Sequence, residues 1–151
     1  MPTIDSTIDF IKEAHAGAFD KTGFPYWEHP YRVMQHLGAK ATNEERKAAL
    51  LHDVVEDTHY TIGDLVNMGY VPQVVEVVKL LTIDKSLKMP YIYHIAKIAN
   101  SGNISAIKIK ISDIMDNTDP DRLILVEDSE RLLLKYRGAL RVLLLSLLNY
   151  Y

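Results

Sequence analysis

The sequence predicts an all-α protein, a single helical bundle over residues 1–151. Three observations carry the prediction. Apolar residues recur at spacings of three and four along most of the chain, helix-opening residues precede these runs, and Gly- or Pro-bearing loops separate them. Thr3 to Phe19 places Ile4, Ile8, Ile11 and Ala14 or His15 on one face, with Asp5, Asp9 and Glu13 off it. His15 on such a face is expected to be a hydrogen-bonded core residue. The loop Asp20-Lys21-Thr22-Gly23-Phe24-Pro25 should end this helix, and loops on rigid scaffolds often carry binding groups. Lys21, Thr22 and Tyr26 are therefore candidates for substrate contact.

Pro30 can open the second helix, which places His29 at its mouth and runs through Val33, Met34 and Leu37 to Gly38. Asn43 is the expected cap of a central helix, with Arg46 three residues on. Thr61 with Asp64 signals a short helix ending near Gly69, and Pro72 opens another along Val74, Val75, Val78 and Leu81. A Tyr- and Ile-rich segment from Pro90 ends at Ser101-Gly102-Asn103. From Ile104 to Asn117 local rules disagree: Ile107, Ile109 and Ile111 alternate as in a strand, while Ile104, Ile107, Ile111 and Ile114 make a helical stripe. In the helical case Lys110, Asp113 and Asn117 share a face. Glu127 to Leu148 reads as a final long helix, with Gly138 its weak point.

Charge sits oddly in Ala48 to Thr58, where His52, Asp53, Glu56 and Asp57 interrupt a run of Ala, Leu and Val. On one continuous helix all four crowd a single flank. An acidic patch on a nearly buried helix wants a metal ion or a cationic partner, and adjacent Asp and His offer oxygen and nitrogen to a divalent transition metal. With no cysteine among 151 residues, a metal must use His and carboxylates, and a disulfide framework is excluded. That composition is compatible with a cytoplasmic protein.

A net charge of −3 argues against a nucleic-acid surface. The N-terminus lacks the basic and apolar regions of a signal peptide. Val142 to Leu148 is apolar, but Lys135, Arg137 and Arg141 break the wider segment below a membrane span. The expectation is a helix for packing or homo-oligomer assembly, with no membrane partner.

His29-Pro30, His52-Asp53 and Asp113 resemble the signature of HD-domain metal-dependent phosphohydrolases. Ala14 to Pro30 (A-H-A-G-A-F-D-K-T-G-F-P-Y-W-E-H-P) and A-A-L-L-H-D-V-V-E-D-T are similar to the hydrolase domain of RelA/SpoT proteins and their small stand-alone relatives. The resemblance runs from about Ala14 to Asn117. It implies an all-helical HD fold, with Ile104 to Asn117 as helix, and removal of the 3′-pyrophosphate of (p)ppGpp. It further implies one Mn2+ held by His29, His52, Asp53 and Asp113, a water positioned and activated by Glu56 and Asp57, and nucleotide contacts from Lys21, Thr22, Tyr26, Lys110 and Asn117.

The chain also departs from the pattern. Asp20 stands where the family has Arg, and Asp113-Ile114-Met115-Asp116-Asn117-Thr118 stands where it reads Asp-Arg-Leu-His-Asn-Met. The expected activity is thus hydrolysis of a (p)ppGpp-like nucleotide. The alternatives are an HD phosphohydrolase for another small nucleotide and a nucleotide-binding module without catalysis.

Overall fold

The computed structural model describes residues 1–151 as helices joined by short loops, without a β-sheet. Helix α1 (Ile4–Ala14) opens on a capping box: the Thr3 hydroxyl accepts the Ser6 N–H, and the Ser6 hydroxyl accepts the Thr3 N–H. It stops short of the expected Phe19. The chain turns at His15, and Gly17 takes φ +81°, a conformation that a side chain would strain. Helix α2 (Glu28–His36) begins two residues before Pro30 rather than at it. Pro30 is then the third helical residue, whose N–H has no intrahelical partner, so the ring is still accommodated.

Helix α3 (Asn43–Leu51) is capped by Thr42, not Asn43. The Thr42 hydroxyl accepts the Glu45 N–H and the Glu45 carboxylate accepts the Thr42 N–H. Asn43, with Arg46 three residues on, cannot make that reciprocal pair. Nor does one helix continue to Thr58: α3 ends at Leu51, His52 and Asp53 form a turn, and α4 (Val54–Asp57) restarts. At the break the His52 N–H reaches back only to the Ala49 carbonyl, and Asp53 takes φ −104°, ψ −3°, the sparsely occupied bridge region. Neighbouring side chains on an unbroken helix diverge by about 100°. The turn instead lets His52 and Asp53 face one point.

Helices α5 (Ile62–Asn67) and α6 (Pro72–Leu81) start at the Thr61–Asp64 box and at Pro72, as the sequence indicates. Helix α7 (Tyr91–Ala99) follows Pro90. The disputed segment is α8 (Ile104–Asn117), started by the Asn103 side chain accepting the Ala106 N–H. Its ambiguity has a physical origin: Ala106, Ile107, Ile109 and Ile114 are all buried, so the helix is apolar on more than one face. A short α9 (Pro120–Leu123) precedes α10 (Ser129–Leu147), which begins after Asp128 at φ +66° and passes through Gly138.

Helix α3 supplies the centre of the core. Ala48, Ala49, Leu50 and Leu51 are at most 1% exposed, and burying each leucine contributes about 1.5–3 kcal/mol. Helices α1, α2, α6 and α8 pack around α3, while α7 and α10 close the far side of α8. Ala139 and Leu143 anchor α10; Leu134, Leu145 and Leu148 stay exposed. No helix is long and apolar enough to cross a membrane.

Candidate metal centre and pocket

Three elements converge on one buried point. Helix α2 brings His29, the α3–α4 break brings His52 and Asp53, and α8 brings Asp113. His29 Nε2 lies 2.9 Å from Asp113 Oδ1 and 3.6 Å from Asp53 Oδ2. His52 Nε2 lies 3.1 Å from Asp53 Oδ2 and 3.5 Å from Asp113 Oδ1.

The outer ring nitrogens fix the tautomers. His52 Nδ1 is 2.7 Å from the Ala49 carbonyl, which can only accept, so the proton sits on Nδ1 and Nε2 points inward. That Nε2 is buried without a hydrogen-bond partner. His29 Nδ1 is likewise 2.6 Å from Asp116 Oδ2, leaving its Nε2 aimed at the same carboxylates. Burial opposes charging either ring, yet the surrounding carboxylates outweigh it and raise both pKa values. Burial would likewise raise Asp53 and Asp113, but His52 beside the first and Lys110 beside the second hold them low.

Such a set suits a divalent cation. His29, His52 and Asp53 bring ligand atoms within 4.8 Å of one another, and the orphaned His52 Nε2 is the nitrogen such an ion would take. On α4, Glu56 and Asp57 stand next to Asp53. Glu56 Oε1 accepts the Ile83 N–H at 2.8 Å. Burial raises the Glu56 pKa, with Asp53 and Asp57 adding to it. Asp57 is raised in the same way, by burial and then Asp53, against Lys85 whose Nζ is 3.7 Å away.

A cavity of about 360 Å³ opens over the cluster, within the range of small-molecule sites. Every residue that the sequence offered as a metal, catalytic or nucleotide-contact candidate lines it except His52, which is buried beside Asp53. Lys21, Thr22 and Tyr26 come from the loop after α1, and the Tyr26 hydroxyl donates to Asp53 Oδ2 at 2.6 Å. Lys110 Nζ donates to Asp113 Oδ2 at 2.8 Å and Asn117 Nδ2 to Asp113 Oδ1 at 3.1 Å. His15 departs from expectation: it is buried, but its Nε2 has no partner, and its ring rests 5.0 Å from that of Tyr26. Burial keeps it neutral by lowering its pKa.

Sequence reasoning passed over Asp116, Arg32 and Arg122. Asp116 is fully buried and takes His29 Nδ1 and Arg122 Nη1 on Oδ2, both at 2.6 Å, and Arg32 Nε on Oδ1 at 2.8 Å. Arg122 Nη2 continues at 3.2 Å to Asp20 Oδ2. Asp20 Oδ1 accepts the Thr22 N–H, the Thr22 hydroxyl and the Phe24 N–H. A chain of alternating charge thus ties the loop after α1 to His29. The spacing of Asp113 and Asp116 on one helix was a usable signal for Asp116; Arg122 offered none.

The HD domain family matches residues 26–121. A Danio rerio guanosine-3′,5′-bis(diphosphate) 3′-pyrophosphohydrolase, MESH1, is 38% identical over 86 residues, covering 54% of this chain and 47% of that protein. The enzyme of the same name from Aquifex aeolicus is 33% identical over 118 residues, 76% of this chain and 17% of that protein. The chain therefore spans about half or less of these relatives. A metazoan ortholog of SpoT, described as hydrolysing ppGpp, superposes with a TM-score of 0.68 at 24% identity over 97% of this chain and 93% of its own, which is evidence of a shared fold. From the match over 26–121, which takes in all four residues of the His/Asp cluster, this chain belongs to the HD domain family.

Proposed function

We propose that the chain is a Mn2+-dependent phosphohydrolase that removes the 3′-pyrophosphate of (p)ppGpp-like nucleotides. The observation that carries the reading is Glu56: a carboxylate with a raised pKa, adjoining a His/Asp metal cluster, in the pocket that also holds Lys21 and Lys110. The activity named for the Danio rerio and Aquifex aeolicus relatives supports it.

A divalent ion held by His29, His52, Asp53 and Asp113 would lower the pKa of a bound water and offset charge on the phosphoryl oxygens. Glu56 is positioned by the Ile83 N–H on Oε1, which leaves Oε2 to take the proton of the attacking water. Asp57 orients that water. As the new P–O bond forms, the bond to the 3′ oxygen breaks, and this oxygen takes a proton from solvent to leave as the nucleotide hydroxyl while Glu56 releases to solvent the proton it accepted. Lys21 and Lys110 neutralise the departing pyrophosphate, and Thr22 and Asn117 complete its contacts. Tyr26 acts one step back, through its hydrogen bond to Asp53.

Asp20 favours a second reading, an HD phosphohydrolase for a different small nucleotide. Its carboxylate is spent on its own loop and on Arg122, so no cation stands at residue 20 to meet a base. Both readings are tested by incubating the protein with Mn2+ or EDTA against ppGpp, its adenine counterpart and nucleoside triphosphates, then resolving products by chromatography. Metal-dependent pyrophosphate release from ppGpp supports the first; cleavage of another nucleotide with ppGpp intact selects the second. Glu56→Gln should abolish turnover while metal stays bound, and retained turnover removes Glu56 from its role.

A further inference from the structure

The two carboxylates by which the chain departs from the family pattern, Asp20 and Asp116, are joined in the fold by two arginines. Arg122 of α9 donates Nη1 to Asp116 Oδ2 at 2.6 Å and Nη2 to Asp20 Oδ2 at 3.2 Å. Arg32 of α2 donates Nε to Asp116 Oδ1 at 2.8 Å and brings Nη2 to 4.0 Å from Asp20 Oδ2. Two anions and two cations close a square in which the Asp116 side chain is fully buried and that of Asp20 is 7% exposed. Their charges cancel.

The contested atom in this square is Asp116 Oδ2. It accepts His29 Nδ1 and Arg122 Nη1 together, both at 2.6 Å. A guanidinium left to itself forks two nitrogens onto one carboxylate, and Arg122 doing so would compete with the His29 ring for its acceptor. Arg122 is kept from that geometry. Its Nη2 is engaged by Asp20, and its Nε is buried without any acceptor. Asp20 can hold it because Asp20 is itself fixed: Oδ1 takes the Thr22 N–H, the Thr22 hydroxyl and the Phe24 N–H, which leaves Oδ2 to reach outward.

We propose that Asp20 is a positioning residue for the metal centre: by engaging Arg122 Nη2 it keeps that guanidinium from forking onto Asp116, and so leaves Asp116 Oδ2 free to orient His29. The effect on metal rests on the ligand set given under Proposed function; the effect on the His29 hydrogen bond rests on this geometry alone. The loop that brings Lys21 and Thr22 to the pocket thereby carries a strut of the His/Asp cluster.

Asp20→Asn isolates the strut, since the amide oxygen can keep the three donors of the loop while its NH2 replaces the acceptor of Arg122. Calorimetric titration should show Mn2+ affinity about tenfold weaker in this variant. Adding Arg122→Met removes the competitor and should return the affinity to within about threefold of wild type. A role confined to building the loop would gain nothing from the loss of Arg122. Undiminished affinity in Asp20→Asn, or a double variant no better than Asp20→Asn, overturns the proposal. In EDTA, the low-field proton resonance of His29 Nδ1–H, assigned by its absence in His29→Gln, reads the bond to Asp116 directly, with His52 Nδ1–H as the internal reference. It should move upfield in Asp20→Asn and recover in the double variant. If wild type binds no Mn2+, the ligand assignment fails and this resonance decides: the same shift and recovery support the strut, and a signal missing from wild type, unmoved in Asp20→Asn or unrecovered in the double variant overturns it.

Discussion

Asp116→Asn separates the two tasks of one buried carboxylate. In wild type, Asp116 Oδ2 holds His29 and Arg122 and Oδ1 holds Arg32, all within 2.8 Å. The amide keeps one acceptor oxygen, so whichever way it turns, its NH2 faces at least one donor. If the oxygen stays with His29 and Arg122, Arg32 Nε loses its acceptor and the guanidinium keeps only its longer contact to Glu28 at 3.6 Å and its approach to Asp20. If it flips, the His29 ring loses the acceptor that fixes its tautomer. Losing one charge-assisted hydrogen bond at a buried site and gaining a donor–donor contact should cost about 2–4 kcal/mol. The lower end applies, because solvent reaches Arg32 and Arg122, whose side chains are 26% and 23% exposed.

With His29 as the proposed metal ligand, removing the group that orients its ring should also weaken metal affinity about 10- to 100-fold. That corresponds to about 1.4–2.7 kcal/mol. Urea unfolding in EDTA reads the first effect and calorimetric titration with Mn2+ reads the second, with Asp113→Asn as a control that loses metal outright. Unchanged Mn2+ affinity in an Asp116→Asn protein that unfolds earlier would show that Asp116 packs the structure without orienting His29.

Two further predictions follow from local chemistry. Asp20, Glu45 and Asp116 all have pKa values lowered in the folded chain, through hydrogen bonds and cations that overcome burial. The stability they contribute is present above the ordinary carboxylate pKa of about 4 and is lost as pH falls through it toward the folded values. The urea midpoint should therefore drop steeply in that window, and a flat midpoint there would contradict the assigned partners. Thr42→Ala removes the box that starts α3 and should cost about 0.5–2 kcal/mol, with Thr42→Ser retaining most of the stability. An Ala variant as stable as wild type would shift the cap to another residue.

What was legible in the sequence was whatever local chemistry determines. Thr61 with Asp64 and the proline at 72 announce their helices because capping and proline geometry act within one turn. Thr42 and Glu45 carried an equally local signal, but the neighbouring Asn43 competes for the same role on composition alone. The stop after Leu51 was not legible: no Gly or Pro marks it, and His52 and Asp53 turn where they do within a buried cluster built with α2 and α8. Ile104 to Asn117 was ambiguous by pattern, since a helix packed on several sides erases the polar face that distinguishes it from a strand.

The same contrast holds at the site. Adjacency disclosed His52 and Asp53, and helical spacing placed Lys110, Asp113 and Asn117 on one face. Arg122 and Lys135 reach the pocket only by tertiary packing, from segments whose own patterns are those of a loop and a leucine-rich helix.

The span of the contacts at the cluster bears on how the molecule assembles. His29 is 84 residues from Asp113 and 87 from Asp116, and Asp20 is 102 from Arg122. Closing loops of that length costs entropy before any contact is gained, so these pairs form only once α2 and α8 have met. A cation needing ligands from both helices finds no site during that search. Where those contacts form after the transition state, it should leave the refolding rate nearly untouched and act instead on the rate of unfolding. The lifetime of each folded molecule, rather than the speed of its formation, would then follow the supply of metal.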